Sequence, residues 1–288
     1  MKRQAGAGDR YPDRRSSAGR RGAGGVRVPS ALDQIDAIDR ELDGRRPAVF
    51  LDYDGTLTEI VSRPERAVLS EAMRSTVEAL AGRCPVAVIS GRDRRDVASL
   101  VRLPSLVYAG SHGFDIAGPG ATEIQYEVGG GFAAVIEQAA RDLRRRLGGL
   151  DGVIVEPKRY AVAVHYRLVA PADLPAVRGA VSAVLARWPA LIETKGKKVF
   201  ELRPRVDWDK GRAVVWLLQA LGLDRPDILP IYLGDDATDE DAFGALEGRG
   251  IGIRVAARAG ATRATYRLRN VDEVRRFLDA LAARLEAR

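Results

Sequence analysis

The sequence predicts an α/β protein in which a Rossmann-like parallel sheet is interrupted by an inserted α+β cap domain. Two observations predict this fold. Short, continuous apolar runs alternate with helical patterns before residue 118 and again after residue 203, which is typical of parallel strands covered by helices on both faces. Between these stretches apolar and polar residues alternate, which is typical of an antiparallel sheet with one wet face.

The same change of pattern divides the chain. We expect a disordered basic tail over residues 1–29, a core made of residues 30–117 and 204–288, and an α+β cap over residues 118–203. A length of 288 residues suits one large domain or two modest ones, so an interrupted core with a separate cap is consistent with it.

The first half of the core shows strand and helix signals in alternation. Its predicted elements are a short lead-in helix near 35–42, buried strands at 47–52, 85–90 and 106–109, and helices that begin at Ser70 and after Gly91. Ser70 is expected to cap its helix because a serine oxygen accepts from free backbone amides of the first turn. The order strand, helix, strand, helix, strand predicts a parallel sheet.

The cap and the second half of the core follow in the same way. The predicted elements are one long helix over 131–147, an alternating strand at 162–167, a hairpin over 191–204 that turns at 195–197, a helix that Lys210 opens, buried strands at 228–233 and 251–255, and a closing helix over 271–285. The cap is therefore expected to carry one helix and an antiparallel sheet.

The positive charge is concentrated in the tail. The chain has 46 Lys and Arg against 39 Asp and Glu, a net charge of +7, and residues 1–30 alone carry eight Lys/Arg and two Asp. The rest of the chain is therefore close to neutral, which argues against a nucleic-acid-binding body. The tail has no apolar core of an export signal, although a transit peptide or a basic arm stays open. No apolar run is long enough for a membrane span, and the single Cys84 excludes an internal disulfide.

Side chains suited to chemistry follow the predicted strands of the core. They are Asp52 and Asp54 after the first strand, Ser90, Gly91 and Arg92 after the second, Asp235 and Asp236 after a later one, and Lys210 at a helix N-terminus. Each of these alone is as well explained by a helix cap, a turn or exposed charge. Together they meet at the carboxyl edge of one sheet, where ligands of open α/β sheets bind.

Several carboxylates crowded into one crevice require a cation. Two unit charges about 4 Å apart repel by roughly 4 kcal/mol at an effective dielectric near 20. Oxygen ligands without Cys or His favour Mg²⁺, and the spacing does not fit an EF-hand calcium loop. Ser90, Arg92 and Lys210 beside such a metal indicate a phosphate site.

The spacing of the first two carboxylates favours an enzyme. Asp52 and Asp54 are two residues apart at a strand end and point the same way. One can attack phosphorus, while the other protonates the leaving oxygen and then activates water. Gly55 allows a tight turn whose backbone N–H groups we expect to face the phosphate.

These residues carry a resemblance. Asp52-Tyr53-Asp54-Gly55-Thr56-Leu57-Thr58, Ser90-Gly91-Arg92, Lys210 and the acidic run 234–241 resemble, in this order, the four motifs of the haloacid-dehalogenase-like hydrolases. Within that class the chain is similar to the trehalose-6-phosphate phosphatases over about residues 45–285. The finer motifs that carry this likeness are Gly110-Ser111-His112-Gly113, Val155-Glu156-Pro157-Lys158, His165-Tyr166-Arg167 and the run 197–204.

The resemblance implies roles for the core residues. Asp52 matches the nucleophile that becomes an aspartyl phosphate, and Asp54 matches the general acid/base. Mg²⁺ would be held by the side chains of Asp52 and Asp235 and the backbone carbonyl of Asp54, with Asp236 behind them. Ser90, Gly91, Arg92 and Lys210 would bind and stabilise the phosphoryl group. Asp239 matches a motif position without an assigned role.

The resemblance also implies that the cap recognises the sugar. The charged residues assigned to sugar hydroxyls are Glu156, Lys158, Arg167, Lys197 and Glu201. Ordinary charge on the wet face of an antiparallel sheet explains any one pair of them equally well. His112 is open between a turn histidine and a substrate contact.

The expected activity is Mg²⁺-dependent hydrolysis of trehalose 6-phosphate to trehalose and phosphate by a cytoplasmic monomer. No membrane or nucleic-acid partner is expected. Two alternatives stay open: a phosphatase for another sugar phosphate, such as sucrose or mannosylglycerate phosphate, and a basic nucleic-acid-binding protein. The core motifs do not separate the sugar phosphates, whereas the cap residues can.

Overall fold

The computed structural model describes residues 28–61, 64–119, 124–128, 130–196 and 198–288. The predicted tail therefore lies, up to residue 27, outside the described residues. Lys197, the last residue of the predicted hairpin turn, also lies outside them. Strand β8 continues to Gly196, so the strand runs further than the turn predicted at 195–197 allows. The described chain begins beside the sheet, where the backbone amide of Arg267 donates to the carbonyl of Pro29 at 2.9 Å.

The described residues form twelve strands and eight α-helices. The strands are β1 (Arg46–Leu51), β2 (Val86–Ile89), β3 (Val107–Gly110), β4 (Asp115–Ala117), β5 (Gln125–Glu127), β6 (Ile154–Pro157), β7 (Val162–His165), β8 (Leu191–Gly196), β9 (Val199–Pro204), β10 (Ile228–Gly234), β11 (Ile251–Val255) and β12 (Tyr266–Leu268). The helices are α1 (Ile35–Leu42), α2 (Glu71–Ala81), α3 (Arg94–Val101), α4 (Ala133–Leu147), α5 (Leu174–Arg187), α6 (Lys210–Ala220), α7 (Asp239–Leu246) and α8 (Val271–Glu286).

The central sheet has the order β12-β11-β10-β1-β2-β3-β4-β5. The six strands from β12 to β3 are parallel, and β4 and β5 extend the sheet in antiparallel fashion at one edge. One face packs on α2 and α8 through residues such as Met73, Val77 and Phe277, and the other packs on α6 and α7 through Leu217 and Phe243. Helices on both faces of a mostly parallel sheet confirm the predicted α/β class.

A second, antiparallel sheet with the order β6-β7-β9-β8 forms the inserted cap. One face of this sheet packs on α4 and α5, and Val162, Val164, Phe200 and Leu202 form the core between them. The prediction of a single cap helix was wrong. Helix α5 presents Val177, Ala180, Val181 and Val184 to the core, and its β-branched valines and Gly179 weaken the helical signal.

The prediction of one wet face was also wrong for β7. Ala163 points to the face opposite Val162 and Val164, yet it is fully buried. Its neighbours across the sheet are Glu156 and Glu201. This small residue lies between two carboxylates on the face of the cap sheet that does not contact the helices.

The start of the cap differs from the sequence-based boundary at residue 118. Strand β5 lies after that residue, yet it pairs with β4 in the central sheet. We therefore propose that the cap begins between residues 128 and 133. Across this junction, Arg159 of the cap donates to Asp115 of β4 at 2.8 Å, and the side-chain hydroxyl of Tyr160 donates to Glu127 at 2.7 Å.

Candidate active site

Two neighbouring parallel strands bring the predicted carboxylates together. Strands β1 and β10 pair in a register that sets Leu51 beside Leu233, and the amide of Asp52 donates to the Leu233 carbonyl at 2.9 Å. The chain therefore leaves both strands at the same edge, where Asp52 follows β1 and Asp235 follows β10. After the exposed Arg46 at the start of β1, both strands are buried and carry no acidic residue, so the acids occur only where the buried run ends.

A buried ion network lies at this edge. Lys210, the first residue of α6, donates through Nζ to Asp52 Oδ1 and to Asp239 Oδ1, each at 2.7 Å. Asp52, Lys210 and Asp239 are 4%, 3% and 0% exposed. Burial alone would lower the pKa of Lys210, but Asp239 and Asp52 outweigh it and hold the pKa above its usual range. Lys210 is therefore a fixed cation.

Asp239 is the most connected residue of the network. Its Oδ1 also accepts from the hydroxyl of Tyr232 at 2.7 Å, and its Oδ2 accepts from the backbone amide of Asp236 at 2.8 Å. It begins α7, so a carboxylate there also suits the helix N-terminus. These contacts hold the loop between β10 and α7 against Lys210.

Three carboxylates lie close enough to share one cation. Oxygen atoms of Asp52, Asp235 and Asp239 all lie within 4.8 Å of one another. Burial, and then the charges of Asp239 and Asp236, raise the pKa of Asp235 from 3.8 to about 7. Burial likewise raises the pKa of Asp52, against the opposing effect of Lys210. One Lys210 does not neutralise three acids, so this oxygen-only donor set fits a hard divalent cation such as Mg²⁺.

Glycine is required where the loop after β1 meets the one after β10. Gly55 has a φ of +83°, and a Cβ there would lie 2.2 Å from the carboxylate of Asp235. Any side chain would displace that carboxylate. The Gly55 amide itself donates to the Thr58 carbonyl at 2.7 Å, and the expectation that other backbone N–H groups of this turn face the phosphate stays a prediction.

Asp54 and Arg92 form a second, more open ion pair. Nε and Nη2 of Arg92 each donate to one oxygen of Asp54 at 2.7 Å, and Nη1 donates to Asp96 at 3.1 Å. Burial alone would lower the pKa of Arg92, but these carboxylates outweigh it and raise that pKa. The side chain of Asp54 is 39% exposed and that of Arg92 is 11% exposed, so this pair lies nearer the surface than the network of Lys210.

The turn between Ser90 and Arg92 is built against His112. The backbone amide of His112 donates to the Ser90 carbonyl at 2.8 Å, and Ser90 Oγ accepts from the amide of Arg92 at 3.1 Å. A Cβ on Gly91 would lie 2.9 Å from the His112 ring, so only glycine fits there without a shift. This packing places the predicted phosphate turn directly beside the histidine.

A cleft open to solvent continues from this turn to the cap. The core contributes Gly91, Ser111 and His112, and the cap contributes Lys158, Tyr160, Glu201 and Arg203. In the cleft Lys158 donates to Glu201 Oε1 at 2.9 Å, and His112 Nε2 lies 3.9 Å from Glu201 Oε2. Burial alone would raise the pKa of Glu201, yet the positive charge of Lys158, with smaller contributions from His112 and Arg203, lowers it.

The other cap residues lie at different depths. Glu156 Oε2 and His165 Nε2 share a hydrogen bond of 2.7 Å, and this bond lowers the pKa of Glu156. Arg167 follows β7 and is exposed, outside the residues that line the cleft. Lys197 lies outside the described residues.

The predicted metal residues are only partly brought together. Asp52 and Asp235 lie in the acidic cluster, whereas Asp236 is exposed and its carboxylate accepts from the amide of Ala237. Asp54 turns its carboxylate to Arg92. The metal contact predicted for Asp54 is through its backbone carbonyl, and that contact stays a prediction. The cluster also includes Asp239, to which sequence reasoning assigned no role. Its place in the same acidic run as Asp235 and Asp236 is the sequence signal that could have grouped it with them.

Comparison with known proteins identifies the family of the chain. A family model described as trehalose-phosphatase matches residues 50–275. The chain is 43% identical over 275 residues to a trehalose 6-phosphate phosphatase of Zea mays, covering 90% of this chain and 76% of that protein. It is 44% identical over 262 residues to a trehalose-phosphate phosphatase of Mycobacterium tuberculosis, and this match covers 90% of this chain and 66% of that protein.

Solved structures share the fold. The structure of Aspergillus fumigatus trehalose-6-phosphate phosphatase superposes with a TM-score of 0.63 at 28% identity, covering 88% of this chain and 99% of that chain. A haloacid dehalogenase-like hydrolase from Bacteroides thetaiotaomicron superposes with a TM-score of 0.58 at 17% identity over 84% of this chain and 99% of that chain, which shows the fold alone.

The interrupted parallel sheet, with acids at its carboxyl edge beside a buried lysine, defines a haloacid-dehalogenase-like hydrolase. Sequence identity above 40% to trehalose-phosphate phosphatases, over most of the chain, then identifies the family within this class. The chain belongs to the trehalose-phosphatase family and is an enzyme of that family, a phosphoric monoester hydrolase. Among the described residues, no helix has the length and apolar character needed to cross a membrane.

Proposed function

We propose that the enzyme hydrolyses trehalose 6-phosphate to trehalose and inorganic phosphate through an aspartyl phosphate on Asp52, with Mg²⁺ as cofactor. The observation that carries this proposal is the position of Asp52: a buried carboxylate at a strand end, 2.7 Å from a fixed ammonium and two residues from a second acid. The names of the relatives support the substrate.

The metal would be held by Asp52, Asp235 and Asp239, whose oxygens lie within 4.8 Å of one another. When bound, Mg²⁺ would supply positive charge that keeps these carboxylates ionised and offsets the charge of the phosphoryl oxygens. Lys210 adds to the same positive charge through its contact with Asp52. An ionised Asp52 is required because only the carboxylate is a nucleophile.

In the first step, an oxygen of Asp52 attacks phosphorus as the bond to the sugar oxygen breaks. Asp54 donates its proton to the departing sugar oxygen, so trehalose leaves as a neutral alcohol. In the second step, Asp54 takes a proton from water, and the water oxygen attacks phosphorus. The bond to Asp52 then breaks, and inorganic phosphate is released with Asp52 regenerated.

Arg92 links substrate binding to the freedom of Asp54. In the structure its guanidinium is engaged with Asp54 through two bonds of 2.7 Å. A phosphate dianion offers the same guanidinium a bidentate partner of higher charge. Transfer of Arg92 to the phosphate would release Asp54 for proton transfer, so that the acid becomes available when substrate is present.

The cap sheet supplies the sugar contacts in this proposal. Glu156 and Glu201 lie on the face of the sheet that lacks helices, with buried Ala163 between them. Glu201 and Lys158 line the cleft that begins at Gly91. Hydroxyl groups of a sugar can accept from Lys158 and donate to Glu201, and bonds to charged groups are the stronger kind. We also propose, as an expectation for a sugar-phosphate enzyme, that it acts as a cytoplasmic monomer.

A phosphate-release assay over a panel of sugar phosphates tests the proposal. Trehalose 6-phosphate should be turned over with the highest kcat/KM, ahead of sucrose phosphate, mannosylglycerate phosphate and glucose 6-phosphate. Removal of divalent metal with a chelator should stop turnover, and Mg²⁺ should restore it. Faster phosphate release from another sugar phosphate would show that this other ester is the substrate. Turnover that survives the chelator would show that the reaction does not need a divalent metal.

A further inference from the structure

A second cleft lies beside β11 and β12, apart from the one between core and cap. It is a shallow cleft open to solvent, and three arginines line it: Arg254, Arg258 and Arg267. Arg254 and Arg267 are register partners on the parallel strands β11 and β12, so their side chains lie on the same face of the sheet. Arg258 comes from the loop that follows β11. We call this site the arginine cleft.

Among the described residues, no carboxylate neutralises the three guanidinium groups. Arg254 donates through Nη1 to the Ala261 carbonyl at 2.9 Å, and Arg267 donates through Nε to the Val28 carbonyl at 3.2 Å. Within the described part of the chain, none of the three forms an ion pair with a carboxylate, and no residue lining the cleft is acidic. Nearby Arg263, by contrast, pairs with Glu247 at 2.9 Å.

The cleft also leaves donors free to face a ligand. Each guanidinium has five N–H donors, and the backbone carbonyls occupy one donor each on Arg254 and Arg267. Thr262 Oγ1 accepts from the amide of Ala264 at 3.1 Å, so its hydroxyl proton can be donated elsewhere. Gly260 has no side chain over Arg254, where a Cβ would lie 3.1 Å from Nη1.

Three like charges on one small cleft repel one another unless an anion is bound between them. The guanidinium fork matches the oxygens of a phosphoryl group, which can accept several bonds at once and carries up to two charges. We propose that the arginine cleft is a second anion site that binds a phosphoryl group, either of inorganic phosphate or of a phosphomonoester. It shares no lining residue with the candidate active site. On the neighbouring strands β10 and β11, Arg254 is the register partner of Gly234, the residue before Asp235.

Isothermal titration of the full chain with inorganic phosphate tests this proposal, at an ionic strength of about 0.15 M so that diffuse attraction is screened. The wild type should bind one more phosphate per chain than the double variant Arg254→Gln/Arg267→Gln. If the catalytic proposal holds, the wild type should bind two phosphates per chain and the double variant one. If the Asp52 site fails to bind phosphate, the wild type should bind one and the double variant none. The two proposals can therefore fail separately.

Two further variants guard against loss of fold and against a simple charge effect. Arg258→Glu changes an exposed side chain for which the described structure shows no hydrogen bond or ion pair, and it should weaken the extra site about 10- to 150-fold, as expected for loss of a charge-assisted bond. Arg144→Gln/Arg276→Gln removes the same number of charges as the double variant from exposed helix positions and should bind phosphate as the wild type does.

Glucose 6-phosphate identifies the source of the phosphoryl group. Tighter binding of glucose 6-phosphate than of inorganic phosphate at the extra site assigns it to a phosphomonoester, and the reverse assigns it to free phosphate. Equal phosphate counts in the wild type and the double variant would overturn the proposal. So would an equal loss of binding in the Arg144→Gln/Arg276→Gln control.

Discussion

The ion networks of the core and of the cap differ in how accessible their charged groups are. In the core, Lys210 bridges Asp52 and Asp239 with both bonds at 2.7 Å, and all three residues are buried. In the cap, Lys158 and Glu201 pair at 2.9 Å with their side chains 27% and 17% exposed to the cleft. A fixed network suits chemistry common to all phosphate esters, whereas an accessible pair can give its bonds to a sugar.

The two networks also differ in how much stability the protein would lose if one charged partner were removed. A buried ion pair that loses one partner leaves an uncompensated charge, which costs far more than an exposed pair does. The core network is therefore expected to contribute to both stability and turnover. The cap pair is expected to affect the choice of substrate and little else.

The largest expected effect comes from Asp52→Asn. An amide is a poor nucleophile and a poor ligand for Mg²⁺, so phosphate release from every ester in the panel should fall to background. The amide oxygen still accepts from Lys210, so the protein should remain folded by circular dichroism. Near-wild-type release from purified Asp52→Asn protein would contradict the mechanism.

The next effect is on stability. Asp239→Ala removes a carboxylate that accepts from Lys210, Tyr232 and the amide of Asp236. The free energy of unfolding should fall by about 3–5 kcal/mol, as for other broken buried pairs. Urea denaturation measures this loss. Asp236→Ala, at an exposed neighbour, should change stability by no more than about 0.5 kcal/mol, and equal losses in both variants would refute the buried network.

The smallest effect concerns the histidine between the two regions. Burial, followed by the charge of Lys210, lowers the pKa of His112 from 6.5 to about 4, although Glu201 opposes this. Between those pH values the unfolded chain binds more protons than the folded one, so this contribution to stability is present above pH 6.5 and is lost as pH falls towards 4. His112→Asn should therefore flatten the fall in denaturation midpoint over this range. An unchanged slope would show that the His112 ring is not held neutral.

Much of the core could be predicted because its signals are local. An apolar run that ends in Asp52, followed by a helix, already indicates a parallel strand with an acid at its carboxyl end. Ser70 caps α2 as its position predicts, since its side chain accepts from the amide of Met73. Parallel topology then brings separate strand ends to one edge, so several site residues could be grouped from their order along the chain.

What the sequence did not show depends on contacts between distant segments. The place of Asp239 in the acidic cluster follows from the bonds of Lys210 and Tyr232, which lie in other elements. Helix α5 was missed because its valines have a lower preference for helices and a higher preference for strands. Strand β5 was assigned to the cap because three residues at a sheet edge show no periodicity that separates them from a loop.

The contrast between core and cap is tested most directly by one ratio of rate constants. This ratio is kcat/KM for trehalose 6-phosphate divided by kcat/KM for p-nitrophenyl phosphate, which has no sugar. Glu201→Gln should lower this ratio about 10- to 150-fold, by lowering only the numerator. Glu193→Gln is the matched control, since Glu193 is equally buried on the opposite, helix-covered face and pairs with Arg178. It should leave the ratio unchanged. Equal losses on both substrates in Glu201→Gln would contradict the division between a chemical core and a cap that recognises the sugar.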